Sequence, residues 1–431
     1  MHEQHLLEIL ALGFGLALIS GSLAHRLGLS PIMGYLLAGF VMGPHCLPGI
    51  RADAGLARQL SEAGVILLMF GVGLRFRFSD LMAVKGISLP GALAQSVVVA
   101  GCGTTLALAC GMPVGAGFIL GFGLAAVSAV ALLRAFGDAD ALNSAPGHIA
   151  VGWLVALEEL TVFILVLLPS LAGLDRGDAG EAGFLRLAGA LGQTFARLVL
   201  LWLLVLALGR KIVPGLIRLV LRTRSHELLV LVSLTAAFTT AVGAARFFGA
   251  SMALGAFLGG MVVGRSEASR QAGANVLPLR DAFAVLFFVA VGMLFDPAYL
   301  IKAPWLVAGC LFIVLVVKPL AGMALVAARG YSAAAGIAVA FGLAQVGEFS
   351  FILAHQAADL KLLPDDSVYN ALVFSAFVSI GVNPFLFRRI PGALKALERR
   401  PRLWRLVNGP AGAWTPIAMP DGAPQQPVEK D

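Results

Sequence analysis

Long apolar runs dominate this chain of 431 residues. About thirteen of them are long enough to cross a bilayer, since roughly 17–25 apolar residues in a helix span the hydrocarbon core. Hydrophobic types make up 59% of the residues and charged types only 13%, which excludes a soluble enzyme and a disordered protein. The sequence therefore predicts an all-α polytopic membrane protein. Its spans are expected at 6–24, 31–48, 60–74, 86–110, 114–136, 148–173, 190–212, 227–245, 248–264, 280–296, 303–328, 333–358 and 370–388.

The basic residues indicate how these spans cross the membrane. The net charge of +7 is carried mostly by loops, so we expect no nucleic-acid surface. With the N-terminus outside and the C-terminus inside, 22 of the 31 Lys and Arg fall on the inner side and 8 on the outer side. The positive-inside rule thus favours an odd number of spans and this orientation. The four cysteines contain no CxxC pair, so neither a disulfide framework nor a zinc site is expected.

Three segments of the first half recur in the second half about 220 residues later. The offset carries each span to the one seven places on, so the two copies cross the membrane in opposite directions. Inverted repeats of this kind are typical of secondary transporters that work by alternating access. The matching pairs are 34–39 with 255–260, 65–73 with 285–292, and 122–127 with 341–346.

The repeat also suggests how the chain is divided. A membrane domain is expected over 1–390, with repeat halves at about 31–173 and 248–388. The remainder, 391–431, is rich in Pro, Arg and Gly and is expected to be a disordered cytoplasmic tail.

Glycine and small polar residues interrupt the fifth and twelfth spans at matching positions. Ser128 lies in the fifth span, and Gln345, Gly347 and Glu348 lie in the twelfth. Such residues suit broken helices whose freed backbone groups line a site. We expect two crossing discontinuous helices, with Gln345 and Glu348 supporting the second break. Glu348 is alternatively a third carboxylate of the site.

Three charged residues lie near the middle of predicted spans: Glu158, Glu159 and Lys318. Each costs at least ~2.5–3.5 kcal/mol at the bilayer centre, so such residues pair with one another or line a hydrated path. Neighbours on a helix point about 100° apart, so one glutamate can face Lys318 while the other faces a cavity. A buried carboxylate holds a proton or a cation but not both at low cost, and this competition is sufficient for antiport.

Six motifs stand out along the chain, at 34–39, 152–160, 277–283, 287–293, 318–320 and 342–351. Together they resemble the monovalent cation:proton antiporter-2 family, most closely its Kef-type potassium:proton antiporters. The resemblance covers roughly residues 5–390 and implies a sodium/proton antiporter-like bundle of thirteen helices, with a dimerisation domain and a mobile core domain. It further implies a homodimer in the bacterial inner membrane.

The resemblance also implies roles for single residues. The family's ion site is an acidic or polar residue followed by Asp on the sixth helix, and this pattern falls on Glu158 and Glu159. Glu159 then binds the cation and the proton, Glu158 is the neighbour that pairs in some relatives with the lysine matching Lys318, and Ser128 completes the coordination. Lys318 supplies the counter-charge when no cation is bound.

The chain departs from the family pattern at three points. The essential carboxylate is Glu159 rather than Asp, and the usual Ser-Thr pair at the fifth-helix break is Ser128-Ala129. No Gly-x-Gly-x-x-Gly motif of a nucleotide-binding regulatory domain is present, so regulation by nucleotide or glutathione is not carried over from the family, and the question of a separate regulatory subunit stays open.

The leading hypothesis is a transporter, not an enzyme, that exchanges protons for K⁺ or Na⁺ by alternating access, without a cofactor or resident metal. One alternative is an antiporter-like membrane sensor or regulatory subunit without net transport. Others are a channel and an acid-dyad protease, whose carboxylates would be expected on two facing helices. The sequence leaves the choice between K⁺ and Na⁺ and the stoichiometry open.

Overall fold

The computed structural model describes most of the chain. The described residues are 2–44, 46, 54–75, 86–139, 141, 144–172, 225–248, 250, 252–264, 269–402 and 404, with shorter stretches between 192 and 220.

The described residues form helices and no strand. The helices are α1 (His2–Arg26), α2 (Pro31–Met42), α3 (Ala54–Arg75), α4 (Ser88–Ala109), α5 (Val114–Ala125), α6 (Ala129–Asp138), α7 (Ala145–Ala172), α8 (His226–Phe248), α9 (Met252–Gly264), α10 (Ser269–Met293), α11 (Ala298–Lys302), α12 (Pro304–Ala328), α13 (Ala333–Gly342), α14 (Phe349–Asp359), α15 (Ser367–Arg388) and α16 (Ile390–Glu398).

Helices occupy twelve of the thirteen predicted spans. The thirteenth, 190–212, lies mostly outside the described residues, and 199–205 within it are helical. Five helices, α4, α7, α8, α12 and α15, contain apolar stretches that are long enough to cross a membrane by length and composition. The chain is thus a multi-pass helical bundle.

Some helix ends differ from the prediction. The helices α3 and α10 begin earlier than the apolar runs at 60–74 and 280–296, because polar residues extend them beyond the apolar segment. The predicted disordered tail begins instead with the helix α16, which has Pro391 in its first turn and packs against α13.

Two helix crossings depend on glycines that face each other. A Cβ built on Gly39 of α2 would overlap the Val289 carbonyl of α10 and lie 3.0 Å from the Cα of Gly292. At the second crossing, a Cβ on Gly260 of α9 would lie 3.0 Å from the Cα of Gly73 of α3. Only a residue without a side chain allows backbones to approach this closely.

The internal repeat relates these two helix crossings to each other. Its offset carries Gly39 to Gly260 and Gly73 to Gly292, so the α2–α10 contact becomes the α9–α3 contact. Other pairs follow the same rule: α1 packs on α2 as α8 packs on α9, and α4 on α5 as α12 on α13. The packing therefore follows the repeat that the sequence predicts.

The fifth and twelfth spans are both discontinuous. Residues 126–128 separate α5 from α6, and residues 343–348 separate α13 from α14. The breaks touch, because the Gly347 amide donates a hydrogen bond to the Ala126 carbonyl at 3.2 Å. Both lie in the buried interior, where Val127 and Val346 are at most 2% exposed. The prediction of two crossing broken helices is confirmed.

Candidate ion-binding site

A cavity of about 670 Å³ lies beside the helix breaks, between α2, α3, α6, α7, α10 and α14. Most of its surface is apolar, as expected in a membrane domain. Its charged side chains are Glu158, Glu159, Arg280, Asp281 and Glu348. Four of these five are acidic, so the cavity suits a cation.

The two consecutive glutamates lie at the middle of the long helix α7. Glu159 is buried, with 8% of its surface exposed, and Glu158 is half-buried. The helix is anchored by large apolar side chains such as Trp153, which is fully buried. Both glutamates line the cavity, so the cavity holds two adjacent carboxylates rather than the single one expected from their 100° separation.

Lys318 has a different partner from the one predicted. Its ammonium group donates three hydrogen bonds to backbone carbonyls: to Leu124 at 2.9 Å, to Ala126 at 2.8 Å and to Gln345 at 2.7 Å. Leu124 lies in the last turn of α5, Ala126 in the first break and Gln345 in the second break. An ammonium group has three N–H donors, and here all three are used. The expected pairing of this lysine with a glutamate is therefore replaced by a clamp on the breaks.

The breaks create the need for this clamp. Where a helix stops inside the membrane, its last carbonyls lose their intrahelical donors and carry a partial negative charge. A buried lysine can satisfy these carbonyls in a place without bulk water. Lys318 is fully buried and follows a π-helical turn of α12, Ile313–Val317.

A buried hydrogen-bonded chain connects this clamp to the helix of the glutamates. The Trp153 indole N–H donates to Gln95 Oε1 at 2.9 Å, and Gln95 Nε2 donates to the Lys318 carbonyl at 2.8 Å. The three residues lie on α7, α4 and α12 and are at most 1% exposed. Polar networks of this kind fix the relative position of the helices that share them.

Ser128 is placed at the start of a helix rather than on the surface of the cavity. It is the N-cap of α6, and its hydroxyl accepts a hydrogen bond from the Ala131 amide at 3.4 Å. The next residue, Ala129, lines the cavity. Cation coordination by Ser128 stays a prediction.

Gln345 and Glu348 occupy the second break, as expected, and the Glu348 carboxylate accepts hydrogen bonds from its own amide and from the Ser128 hydroxyl. Gln345 offers its carbonyl to Lys318, and its Nε2 donates to the Gly342 carbonyl at 3.0 Å. Glu348 is the N-cap of α14, yet its side chain makes no capping hydrogen bond there. It lines the cavity together with the two glutamates.

Sequence reasoning missed two groups of residues around the site. The first is the Arg280–Asp281 pair, in which Arg280 Nε donates to Asp281 Oδ1 at 2.9 Å. The second lies on α15, where Ser379 Oγ accepts from the Val346 amide at 3.0 Å and Asn383 Nδ2 donates to the Phe341 carbonyl at 2.7 Å. The signal was available, because polar residues four apart in an apolar span form one face of a helix.

This arrangement defines a class of protein. Inverted repeats, two touching helix breaks and buried carboxylates on a cavity beside them are the parts of a secondary transporter for cations. The chain belongs to the sodium/hydrogen exchanger family, because the family model described as "Sodium/hydrogen exchanger, transmembrane" matches residues 14–390.

Individual relatives agree with this membership. The chain is 45% identical to the putative cation/proton antiporter YbaL of Escherichia coli over 92% of this chain and 70% of that protein. It is 27% identical to the K⁺ efflux antiporter 4 of Arabidopsis thaliana over 84% of this chain and 60% of the relative.

A solved structure shares the fold. The sodium proton antiporter MjNhaP1 from Methanocaldococcus jannaschii superposes with a TM-score of 0.59 over 91% of this chain and 98% of that one. The two are 16% identical in sequence, so the similarity concerns the fold alone.

Proposed function

We propose that this chain exchanges protons for a monovalent cation, K⁺ or Na⁺, and that Glu159 is the carboxylate that binds both. The observation that carries this proposal is the position of Glu159, buried on the acidic cavity next to two helix breaks. Membership of the sodium/hydrogen exchanger family supports the same reaction.

The mechanism is competition at one carboxylate. A proton neutralises Glu159 and removes the attraction for a cation, while a bound cation displaces the proton. Each occupant neutralises a charge that is costly to leave bare in a medium of low dielectric. The loaded site therefore crosses the membrane with one occupant at a time, and the two gradients become coupled.

A second cavity supports alternating access. It measures about 220 Å³ and lies along the same seam between α3 and α14. Leu68 and Phe349 line the site cavity, whereas Val65 and Ile352 line the second one. Val65 and Leu68 are three residues apart on α3, and Phe349 and Ile352 are three residues apart on α14. In each case the rise along the helix is about 4.5 Å. A barrier of about one helical turn thus separates the cavities, and we propose that a movement of α3 or α14 opens it during transport.

The charge distribution and the family support an inference about the orientation, the membrane and the oligomeric state of the transporter. We infer that the C-terminal side faces the cytoplasm, because it carries most of the Lys and Arg. In this orientation the site cavity opens inward, since it includes the first residues of α2 and the inner half of α7. The membrane is then the bacterial inner membrane, and the protein acts as a homodimer.

The test is exchange by purified protein in proteoliposomes, read from a pH-sensitive dye under Na⁺ and K⁺ gradients. Glu159→Gln is expected to reduce exchange to the level of empty liposomes. Glu227→Gln is the matched control, because Glu227 is exposed in the first turn of α8, away from the cavity, and should exchange as wild type does. Undiminished exchange by Glu159→Gln would overturn the assignment.

A further inference from the structure

Glu348 is a buried carboxylate that its local structure explains only for one of its two oxygens. It is 9% exposed and is the N-cap of α14, but its side chain makes no capping hydrogen bond. Among the described residues, its Oε2 atom has no hydrogen-bond partner. A buried carboxylate oxygen without a donor is destabilising, so its presence points to a partner that arrives with the function.

The inverted repeat provides an internal comparison. Ser128 is the N-cap of α6, the helix after the first break, and its hydroxyl does cap that helix by accepting from the Ala131 amide. Serine is a preferred N-cap because its short side chain reaches these amides. Glu348 bonds its own amide and caps no later amide of α14, so local bonding accounts for Ser128 but leaves Oε2 of Glu348 without a donor.

The charges around Glu348 leave room for a cation. The Glu348 carboxylate accepts hydrogen bonds from its own backbone amide and from the Ser128 hydroxyl, and the Arg280 guanidinium lies within electrostatic range. Arg280 also bonds Asp281, so its single positive charge is shared. The other charged groups on the same cavity, Glu158 and Glu159, are both acidic. One added positive charge would reduce the repulsion among these groups.

We propose that Glu348 is a direct ligand of the transported cation, which it holds together with Glu159. The proposal rests on the exchange function proposed above. Each half of the repeat then contributes one carboxylate, from α7 and from the break before α14. No group of three or more His, Cys, Asp or Glu residues converges on one point in the described part of the chain. Water and backbone carbonyls therefore supply the remaining oxygen ligands, as hard cations require.

The two carboxylates therefore affect two different measurable quantities, the occurrence of transport and its apparent KM. Glu159 exchanges the proton for the cation and determines whether transport occurs. Glu348 adds binding for the cation and determines the concentration at which transport saturates. A residue that merely stabilised the break would lower the amount of active protein and leave the apparent KM unchanged.

The experiment measures the apparent KM and Vmax for Na⁺ and K⁺ in proteoliposomes at fixed pH. Glu348→Gln is expected to raise the apparent KM about tenfold, as for the loss of one charged ligand, and to keep at least about half of the Vmax. Glu227→Gln is the control and should change neither value. An unchanged KM in Glu348→Gln overturns the proposal.

A second variant decides the matter if Glu348→Gln is not monodisperse after purification. Glu348→Asp keeps the charge and moves the oxygens by one methylene, so it should alter the ratio of the Na⁺ and K⁺ KM values. An unaltered ratio with unaltered KM values contradicts the proposal. Glu159→Gln, measured in parallel, keeps the two claims apart: full exchange there refutes the proposed function, whatever Glu348 variants do.

Discussion

Replacing Lys318 with Met should destabilise the whole membrane domain. Methionine has a similar length but no donor, so the carbonyls of Leu124, Ala126 and Gln345 lose the bonds that the ammonium group provides. The Ala126 carbonyl keeps the hydrogen bond from the Gly347 amide, so two carbonyls are left unsatisfied. A buried acceptor without a partner costs about 1–3 kcal/mol, which gives about 2–6 kcal/mol for the two. Water that enters the breaks would recover part of this loss, so the lower end is expected.

Thermal unfolding in detergent, followed by size-exclusion chromatography, measures this effect. A loss of about 2 kcal/mol corresponds to a fall in Tm of about 2 °C, because the unfolding entropy of a chain of this length is about 0.9 kcal/mol/K. Lys302→Met is the matched control, because Lys302 is 62% exposed and lies 3.8 Å from Asp296. A surface ion pair of this kind contributes about 0–1 kcal/mol. An equally small change of Tm in Lys318→Met would refute the reasoning.

A double variant distinguishes the clamp from a counter-charge. If Lys318 mainly neutralised Glu158, then Glu158→Gln in the Lys318→Met background would restore stability, because the unpaired charge would be gone. The structure predicts no restoration, since the partners of Lys318 are backbone carbonyls that the second substitution leaves in place.

Three further predictions concern packing, the buried network and pH. Gly260→Val should abolish monodisperse protein, because its side chain would overlap the Phe70 carbonyl, whereas Gly101→Val, which has open space at its Cβ, should purify normally. Trp153→Phe should lower the free energy of unfolding by about 1–3 kcal/mol, measured as a fall in Tm, because Gln95 Oε1 loses its buried donor. Lowering the pH should raise the apparent KM for the cation at constant Vmax, because the proton competes for the site carboxylate, and a KM that does not change with pH in transport assays would exclude this competition.

The fold was largely predictable because its main determinants are local. Apolar runs in the sequence locate the membrane helices. They do not locate the ends of a helix such as α3, which continues through polar residues beyond its apolar run. The repeat was visible because Gly39 and Gly260 sit in similar short segments. In the fold, Gly39 packs against Gly292 and Gly260 packs against Gly73. These contacts depend on tertiary packing, which the similarity of two sequence segments does not reveal.

The sequence predicts which residues belong to the site better than it predicts the contacts that those residues make. The cost of charges in a bilayer singles out Glu158, Glu159 and Lys318 in any reading of the sequence. A lysine in the membrane needs acceptors, but carboxylates and freed carbonyls serve equally well, and the choice depends on where the breaks meet. Glu348 was expected to support a helix end, since only the folded structure brings it to the cavity of the two glutamates.

Proton release on cation binding tests the central claim most directly. Purified protein in a weakly buffered solution is mixed with NaCl or KCl, with choline chloride as the control, and the pH is recorded. Competition at Glu159 predicts that wild type releases protons with Na⁺, K⁺ or both and that Glu159→Gln releases none. Wild-type protein that releases no protons with either ion, or equal release from Glu159→Gln, would contradict the account.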